Sequence, residues 1–129
     1  MKLGYTIIYV PNVLASIEFY EKAFGMQRGF MHEGGDYAEL ATGETTLAFA
    51  AHSLGHSNLP NGYVEASGSL KPLGIEIALI TDDVTTAHTK ALSAGATELK
   101  APALKPWGQT VSYLRCPDGS LVELCTPVG

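Results

Sequence analysis

The two halves of this chain show the same order of apolar, turn and helical segments, and this internal repeat is what most constrains the fold. Residues 4–13 and residues 74–84 are each an apolar run that leads to a short polar residue and then to a helical pattern. Residues 42–49 and 118–124 are each a turn triplet followed by an apolar strand. One such unit has a sheet that cannot bury both faces alone, so two copies must pack together. We therefore expect a ligand site at the seam between the halves.

Hydrophobic periodicity, caps and turn residues predict one βαβββ order per half. Asn12, and Asp82 or Asp83, are the candidate N-caps, while Gly25 and Gly95 are the candidate helix stops. Pro117-Asp118-Gly119 predicts a tight turn. The chain is thus expected to be one α+β domain, residues 1–129, with module one at about 3–51, a connector at about 52–72 and module two at about 73–127. The predicted strands are 3–10, 26–33, 36–41, 45–51, 74–81, 97–101, 109–115 and 120–126.

The connector is rich in Gly, Ser and Asn, and no packed element is expected in it. His52 and His56 are therefore interpreted as loop residues. A plain tether is the favoured interpretation, although His52, His56, Asn58 and Tyr63 could overhang a pocket. His88, on the second helix, is expected to face solvent.

Composition excludes several classes of function. The net charge is -5 and the basic residues are scattered, which disfavours a nucleic-acid partner. No apolar run approaches the roughly 20 residues of a membrane span. Cys116 and Cys125 lack Cys-x-x-Cys spacing, which is typical of a reduced, cytoplasmic protein.

Strand alternation brings polar residues to one face of the sheets. Four positions related by the repeat are expected on one concave surface: Tyr5, Ala48, Glu76 and Glu123. A carboxylate within an apolar strand is costly unless it meets water, a metal or a cation. An open, wet sheet face is the simpler alternative. If Glu76 and Glu123 approach each other, one pKa should rise, unless Arg115, whose face the pattern leaves open, neutralises one of them.

Three segments carry a resemblance to a known family. They are residues 10–25, with the pattern S-x-x-F-Y-x-x-x-F-G, residues 106–109, and residues 116–124, with P-D-G-x-x-V-E-L. Over about residues 3 to 126 the chain resembles the vicinal oxygen chelate superfamily, the glyoxalase, bleomycin-resistance and extradiol-dioxygenase family. The resemblance implies paired βαβββ modules that form an open, cup-shaped barrel of eight strands, usually in a homodimer.

In metal-dependent relatives, four cup residues, often two His and two Glu, bind a divalent ion. By that resemblance Glu123 matches a ligand position and Glu76 stands where His is usual, whereas Tyr5 and Ala48 leave the set incomplete. We therefore expect a small-molecule binder, with Trp107 either at the rim or as a core plug at a barrel corner. The expected ligand-binding residues are Tyr5, Ile7, Tyr9, Ala48, Ala50, Trp107 and Leu121.

The alternative is a metal-dependent lyase, isomerase or dioxygenase, similar to lactoylglutathione lyase. It would use Glu76 and Glu123 as metal ligands and catalytic residues, with Zn, Ni, Mn or Fe as the ion.

Overall fold

A computed structural model of the chain describes residues 1–128. Module one contains strands β1 (Tyr5–Val10), β2 (Arg28–Met31), β3 (Tyr37–Leu40) and β4 (Thr46–Ala51), with helix α1 (Val13–Phe24). Helix α2 (His52–Asn58) lies in the connector. Module two contains β5 (Glu76–Ile80), β6 (Thr97–Leu104), β7 (Thr110–Arg115) and β8 (Leu121–Cys125), with helix α3 (Val84–Ala94). The predicted α+β class and the repeated βαβββ order are confirmed.

Each module forms a four-stranded mixed sheet, and the strand orders are β1-β4-β3-β2 and β5-β8-β7-β6. The first strand of each module runs parallel to the last, whereas the other pairs are antiparallel. The two sheets are not closed on each other and form an open, cup-like arrangement. Neither β1 nor β5 has a second strand neighbour within residues 1–128, so both are edges along the seam.

The predicted caps are confirmed. The Asn12 side chain accepts a hydrogen bond from the Ala15 amide (3.0 Å), and Gly25 ends α1 at φ 68°. At α3 the cap is Asp83 rather than Asp82, since its Oδ1 accepts from the Thr86 amide (3.1 Å). These side chains satisfy backbone groups that the first helical turns leave without partners.

One apolar core spans both modules. Helix α1 packs against α3, and the helix-side residues of both sheets join the same cluster, including Phe49 and Leu124. Burying such a side chain contributes roughly 1.5–3 kcal/mol. Two buried hydrogen bonds also cross from α1 to the β7–β8 turn: Ser16 donates to Asp118 (2.9 Å), and the Tyr20 and Ser120 hydroxyls lie 2.8 Å apart. The helix-side faces are therefore buried against each other, which leaves the opposite faces open.

The prediction that the connector holds no packed element is wrong at its start, because His52–Asn58 form α2. Gly55 lies at the middle of this helix, and because glycine disfavours helices the segment lacks a recognisable helical sequence pattern. The fold requires glycine there: an added Cβ would lie 2.8 Å from the Tyr9 ring and would also collide with the Tyr63 hydroxyl. The absence of a side chain is what lets α2 approach β1.

The expectation that His88 faces solvent is also wrong. The residue is 3% exposed, and it lies on the buried face of α3 together with Val84 and Ala91. Its Nδ1 is 2.9 Å from the Ser112 hydroxyl, and its Nε2 is 2.7 Å from a Glu98 oxygen. The helical spacing of positions 84, 88 and 91 already indicated this burial. None of the helices within residues 1–128 is long and apolar enough to cross a bilayer.

Candidate functional site

Glu76 and Glu123 lie together on the face of the module-two sheet that points away from the helices. Ala78 is the cross-strand partner of Glu123, so Glu76 is its diagonal neighbour two residues along β5. The pKa of Glu76 is raised above its ordinary value. Desolvation is the largest cause, followed by hydrogen bonding to Glu123 and repulsion from its charge. The two carboxyl groups can therefore share one proton.

The acid pair has two further neighbours, of which the sequence predicted Cys125 on this face and missed Tyr113. Tyr113, on β7, is the cross-strand partner of Glu123, and a hydrogen bond to that carboxylate raises the pKa of its phenol. Cys125 lies on the same face two residues after Glu123, and its thiol pKa is raised, chiefly by burial. Alternation within β8 predicts the position of Cys125, whereas that of Tyr113 depends on the register between β7 and β8.

The module-one sheet has a different set at the corresponding positions. The register places Ile7 and Glu39 on either side of Ala48. Glu39 accepts a hydrogen bond from the Tyr37 hydroxyl (2.8 Å), and this carboxylate too was missed from the sequence. Tyr5 is 58% exposed, whereas neighbouring side chains cover Ala48 completely (0% exposed) and Ala50 almost so. That Tyr5 and Ala48 contact the same ligand as the acid pair stays a prediction.

The residues at the family's metal positions do not fit a four-ligand ion. Glu76 and Glu123 offer carboxylate oxygens, but Ala48 has only a methyl group and Tyr5 a neutral phenol. The proximity of Glu123 also raises the pKa of Glu76, which favours a shared proton. A closed structural or catalytic site normally needs three or four protein ligands. We derive no chemistry through an ion at these positions.

A cavity of about 230 Å³ lies in the seam, where β1 and β5 face each other under the connector. Three of the predicted ligand-binding residues, Ile7, Tyr9 and Leu121, line it. The rings of Tyr9 and Tyr63 lie 4.9 Å apart at its wall. Other lining residues include Val64, Ala66, Leu73 and Ile75. A cavity therefore lies at the seam, and that a ligand binds in it stays a prediction. The connector is part of the cavity wall rather than a plain tether.

A larger and more open depression, of about 650 Å³, lies at the other end of the seam. It is lined by helix-side residues such as Phe24, Leu79 and Lys90. Among the described residues, none of those expected above to bind the ligand borders it, although Ala78, the cross-strand partner of Glu123, does. Because Ile7, Leu121 and the Tyr9–Tyr63 aromatic pair lie at the smaller cavity, we take that cavity as the candidate site.

Arg115 holds the connector wall in place. Its Nη2 is 2.8 Å from the Ala66 carbonyl and 2.9 Å from the Ser69 carbonyl. Its Nε and Nη1 are each 3.3 Å from a further carbonyl, those of Gly119 and Leu70. The alternative in which Arg115 neutralises Glu76 or Glu123 is therefore wrong, since the guanidinium donates to backbone carbonyls.

Trp107 lies in the turn between β6 and β7. It is 65% exposed, and its indole N–H donates to Gln109 Oε1 (2.7 Å). The interpretation of Trp107 as a core plug is therefore wrong, because a plug would be buried. Its role at the rim of a ligand site stays a prediction.

Comparisons with known proteins agree with this architecture. The family described as "Glyoxalase/Bleomycin resistance protein/Dioxygenase superfamily" matches residues 2–124. A Bacillus subtilis (strain 168) protein, "Uncharacterized protein YwbC", is 31% identical over 129 residues, with 95% of this chain and 94% of that protein covered.

Solved structures show the same fold at lower identity. A glyoxalase-related enzyme from Fulvimarina pelagi superimposes with a TM-score of 0.82 at 18% identity, over 98% of this chain and 88% of that one. A glyoxalase/bleomycin resistance protein/dioxygenase family enzyme from Burkholderia phytofirmans PsJN gives a TM-score of 0.80 at 22% identity, over 98% of both chains.

Proposed function

This chain belongs to the Glyoxalase/Bleomycin resistance protein/Dioxygenase superfamily, and we propose that within it the protein binds a small aromatic molecule at the seam. The ligand would occupy the cavity beside the acid pair, without a four-ligand metal ion. The observation that carries the proposal is the cavity itself, which is lined by Ile7, Tyr9 and Leu121 and walled by the Tyr63 ring. Apolar walls with a few convergent polar groups are typical of small-molecule sites.

The dimensions of the cavity limit the ligand. Its volume of about 230 Å³ is below the roughly 300–1,000 Å³ of sites for drug-sized molecules. A single ring with one short substituent suits this volume. The tilted pair of Tyr9 and Tyr63 rings (31° between planes) offers aromatic surface to a planar group.

The acid pair supplies the polar contact. Neither carboxylate lines the cavity itself, but Glu76 is the strand partner of Leu121, which does, so a substituent that extends past Leu121 would reach the acid pair. A pair that shares one proton carries a single negative charge and can accept hydrogen bonds from an ammonium or amidinium group. We therefore expect a ligand with an aromatic ring and a cationic or hydrogen-bond-donating substituent.

Benzamidine and benzamide test this proposal, because they have nearly the same shape and differ in charge. In ¹⁵N NMR titrations at millimolar concentration, both should shift the amides of Ile7, Tyr9 and Leu121. Benzamidine should bind about 2- to 5-fold more tightly, as expected for a partly exposed ion pair. E123Q should abolish this difference, whereas E44Q, at an exposed turn, should retain it.

Two results would contradict the proposal. One is the absence of shifts at the cavity with either compound, and the other is an equal preference for benzamidine in E123Q and in the unmodified protein. Shifts restricted to residues around Phe24 and Lys90 would place the ligand in the larger depression instead.

A second candidate function is an enzyme that uses Glu76 and Glu123 for proton transfer, since these two carboxylates alone do not complete a metal site. The raised pKa of Glu76 favours it, since a carboxyl group that titrates nearer neutrality is a better acid–base catalyst. Elemental analysis after chelator-free purification tests the metal-dependent form. Stoichiometric Zn, Ni, Mn or Fe that is lost in E123Q would favour a lyase, isomerase or dioxygenase over the binding protein.

We also expect a homodimer in the cytoplasm. Ile7 and Ile80 are exposed apolar residues on β1 and β5, two of the four edge strands, and such surface is commonly covered by a second copy. Cys116 and Cys125 are buried, free thiols, as in proteins of a reducing compartment. Light scattering at micromolar concentration would test the dimer.

A further inference from the structure

We propose that His52, His56 and Glu65 form a binding site for a divalent transition-metal ion, of which Zn²⁺ fits best. The two histidines are one turn apart on α2, and Glu65 follows in the connector. The site is separate from the four cup positions. Its three donor atoms all lie within 4.8 Å of one another.

The donor geometry suits a tetrahedral ion. His56 Nε2 lies 3.0 Å from Glu65 Oε2, and His52 Nε2 lies 3.6 Å from Oε1 of the same carboxylate. Ligands about 2.1 Å from a tetrahedral zinc are roughly 3.4 Å apart, which is close to both His–Glu separations. The widest separation among the three donor atoms, up to 4.8 Å, would have to shorten when an ion binds. Two His and one Glu leave a fourth position for water or a ligand. Imidazole donors favour Zn, Cu or Ni over Mg or Ca.

The surrounding residues orient the histidines for this role. His52 Nδ1 lies 2.7 Å from the Tyr63 hydroxyl. If Nδ1 donates to that oxygen, Nε2 keeps the lone pair that a metal requires. The His56 ring stacks on the Tyr63 ring, with centroids 4.8 Å apart and planes 16° apart. His52 is mostly buried, whereas His56 and Glu65 are partly exposed, which gives an ion access from solvent.

The position of the site couples it to the cavity. Tyr63 contacts both histidines and also lines the cavity, as do its neighbours Val64 and Ala66. An ion held by α2 and Glu65 would fasten this wall segment to α2. A simpler alternative is that the histidines only hydrogen-bond to Glu65, and the experiment must separate the two.

The test uses the full-length, untagged protein after treatment with a chelator. Zn²⁺ affinity is measured by competition with a chromophoric chelator, and Co²⁺ is used as a spectroscopic probe of tetrahedral coordination. We expect one Zn²⁺ per chain. H56A and E65Q should each weaken binding by about 100-fold or more, since loss of a direct ligand exceeds the roughly 10- to 100-fold effect of an outer partner. Y63F should weaken binding by about 10-fold.

H32A is the matched control. His32 Nδ1 also lies close to a carboxylate, 3.1 Å from Asp36 Oδ1, but this exposed pair is not part of the three-donor cluster. H32A should bind Zn²⁺ like the unmodified protein. Circular dichroism of the metal-free variants would verify that each is folded.

Any of the following outcomes would overturn the proposal. One is a stoichiometry well below one Zn²⁺ per chain. Another is an equal affinity of H56A and H32A for Zn²⁺, and a third is a Co²⁺ spectrum without tetrahedral character. Zinc binding that is lost in E123Q but retained in E65Q would also overturn it, because the ion would then lie at the acid pair.

Discussion

Replacement of Arg115 by Met should release the connector from the β7–β8 turn. The guanidinium has five contacts within 3.3 Å, and the three shortest come from Nη2, which carries two hydrogens. We therefore count two full charge-assisted hydrogen bonds, to the carbonyls of Ala66 and Ser69. Met preserves much of the packing of the aliphatic stem but removes all of the donors.

The expected magnitude follows from these two bonds. Hydrogen bonds to charged groups contribute about 1.5–3 kcal/mol each, and the lower value applies because the side chain is partly exposed. The free energy of unfolding should fall by about 3 kcal/mol. An unfolding entropy of about 2.1 cal/mol/K per residue gives roughly 0.27 kcal/mol/K for 129 residues. The melting temperature should therefore fall by about 11 °C.

Urea denaturation and hydrogen exchange together measure this effect. If the connector opens locally before the core unfolds, exchange at amides 63–70 should accelerate by up to about 100-fold, while the melting temperature falls less. R28M is the control, because Arg28 is exposed and its contacts, to Glu21 (Nη2–Oε1 2.8 Å) and to the Met31 sulfur, lie at the surface. Its effect should be much smaller.

Arg115 would not hold the connector if R115M and R28M lost similar free energy of unfolding while hydrogen exchange at amides 63–70 stayed unchanged. In that case the carbonyl contacts of Arg115 would be replaced by water at little cost. The wall of the cavity would then be held by other residues.

Two further predictions concern the turn and the acid pair. G119A should lower the free energy of unfolding, measured by urea denaturation, by at least about 2 kcal/mol more than G108A does. The reason is that an added Cβ at Gly119 would collide with the Ala66 carbonyl. Gly108 has a similar φ (99° against 91°) but open space around it, so equal losses would contradict the close approach of the connector. E123Q should lower the pKa of Glu76, measured by ¹³C NMR of its carboxyl carbon, because it removes a repelling charge. Because the pKa of Glu76 is raised in the folded state, the free energy of unfolding falls as the pH rises from the ordinary carboxyl range through that raised pKa. E123Q should reduce this fall. An unchanged pKa of Glu76 in E123Q would show that desolvation alone raises it.

Much of the fold was predictable because its signals are local. Asn12 and Asp83 cap helices through bonds to residues three positions away. The Pro117-Asp118-Gly119 turn closes through a hydrogen bond from the Gly119 amide to the Cys116 carbonyl (2.9 Å). Strand alternation was also sufficient to place Glu76 and Glu123 on one face. Such interactions depend on short windows of sequence, which periodicity and turn chemistry describe.

The missed residues share a different cause. The position of Tyr113 depends on the register between β7 and β8, and that of Glu39 on the register between β3 and β4. No short segment of sequence specifies either register. Helix α2 was not predicted from the sequence because Gly55 has a low helix propensity. Glycine is required at this position by the close contact with Tyr9. Glu65 joins His52 and His56 only because the connector folds back over α2.

The amino-acid order alone thus specified the duplicated modules, their caps and turns, and the pair of carboxylates in apolar strands. Only three-dimensional packing determined that Arg115 would bond to carbonyls 46 and 49 residues away, and that a His–His–Glu cluster would form beside the cavity. Local hydrogen bonding and alternation act over a few residues and leave a visible pattern. Contacts between distant segments depend on how the modules and the connector pack. That packing is determined by which apolar surfaces of the whole chain are buried together.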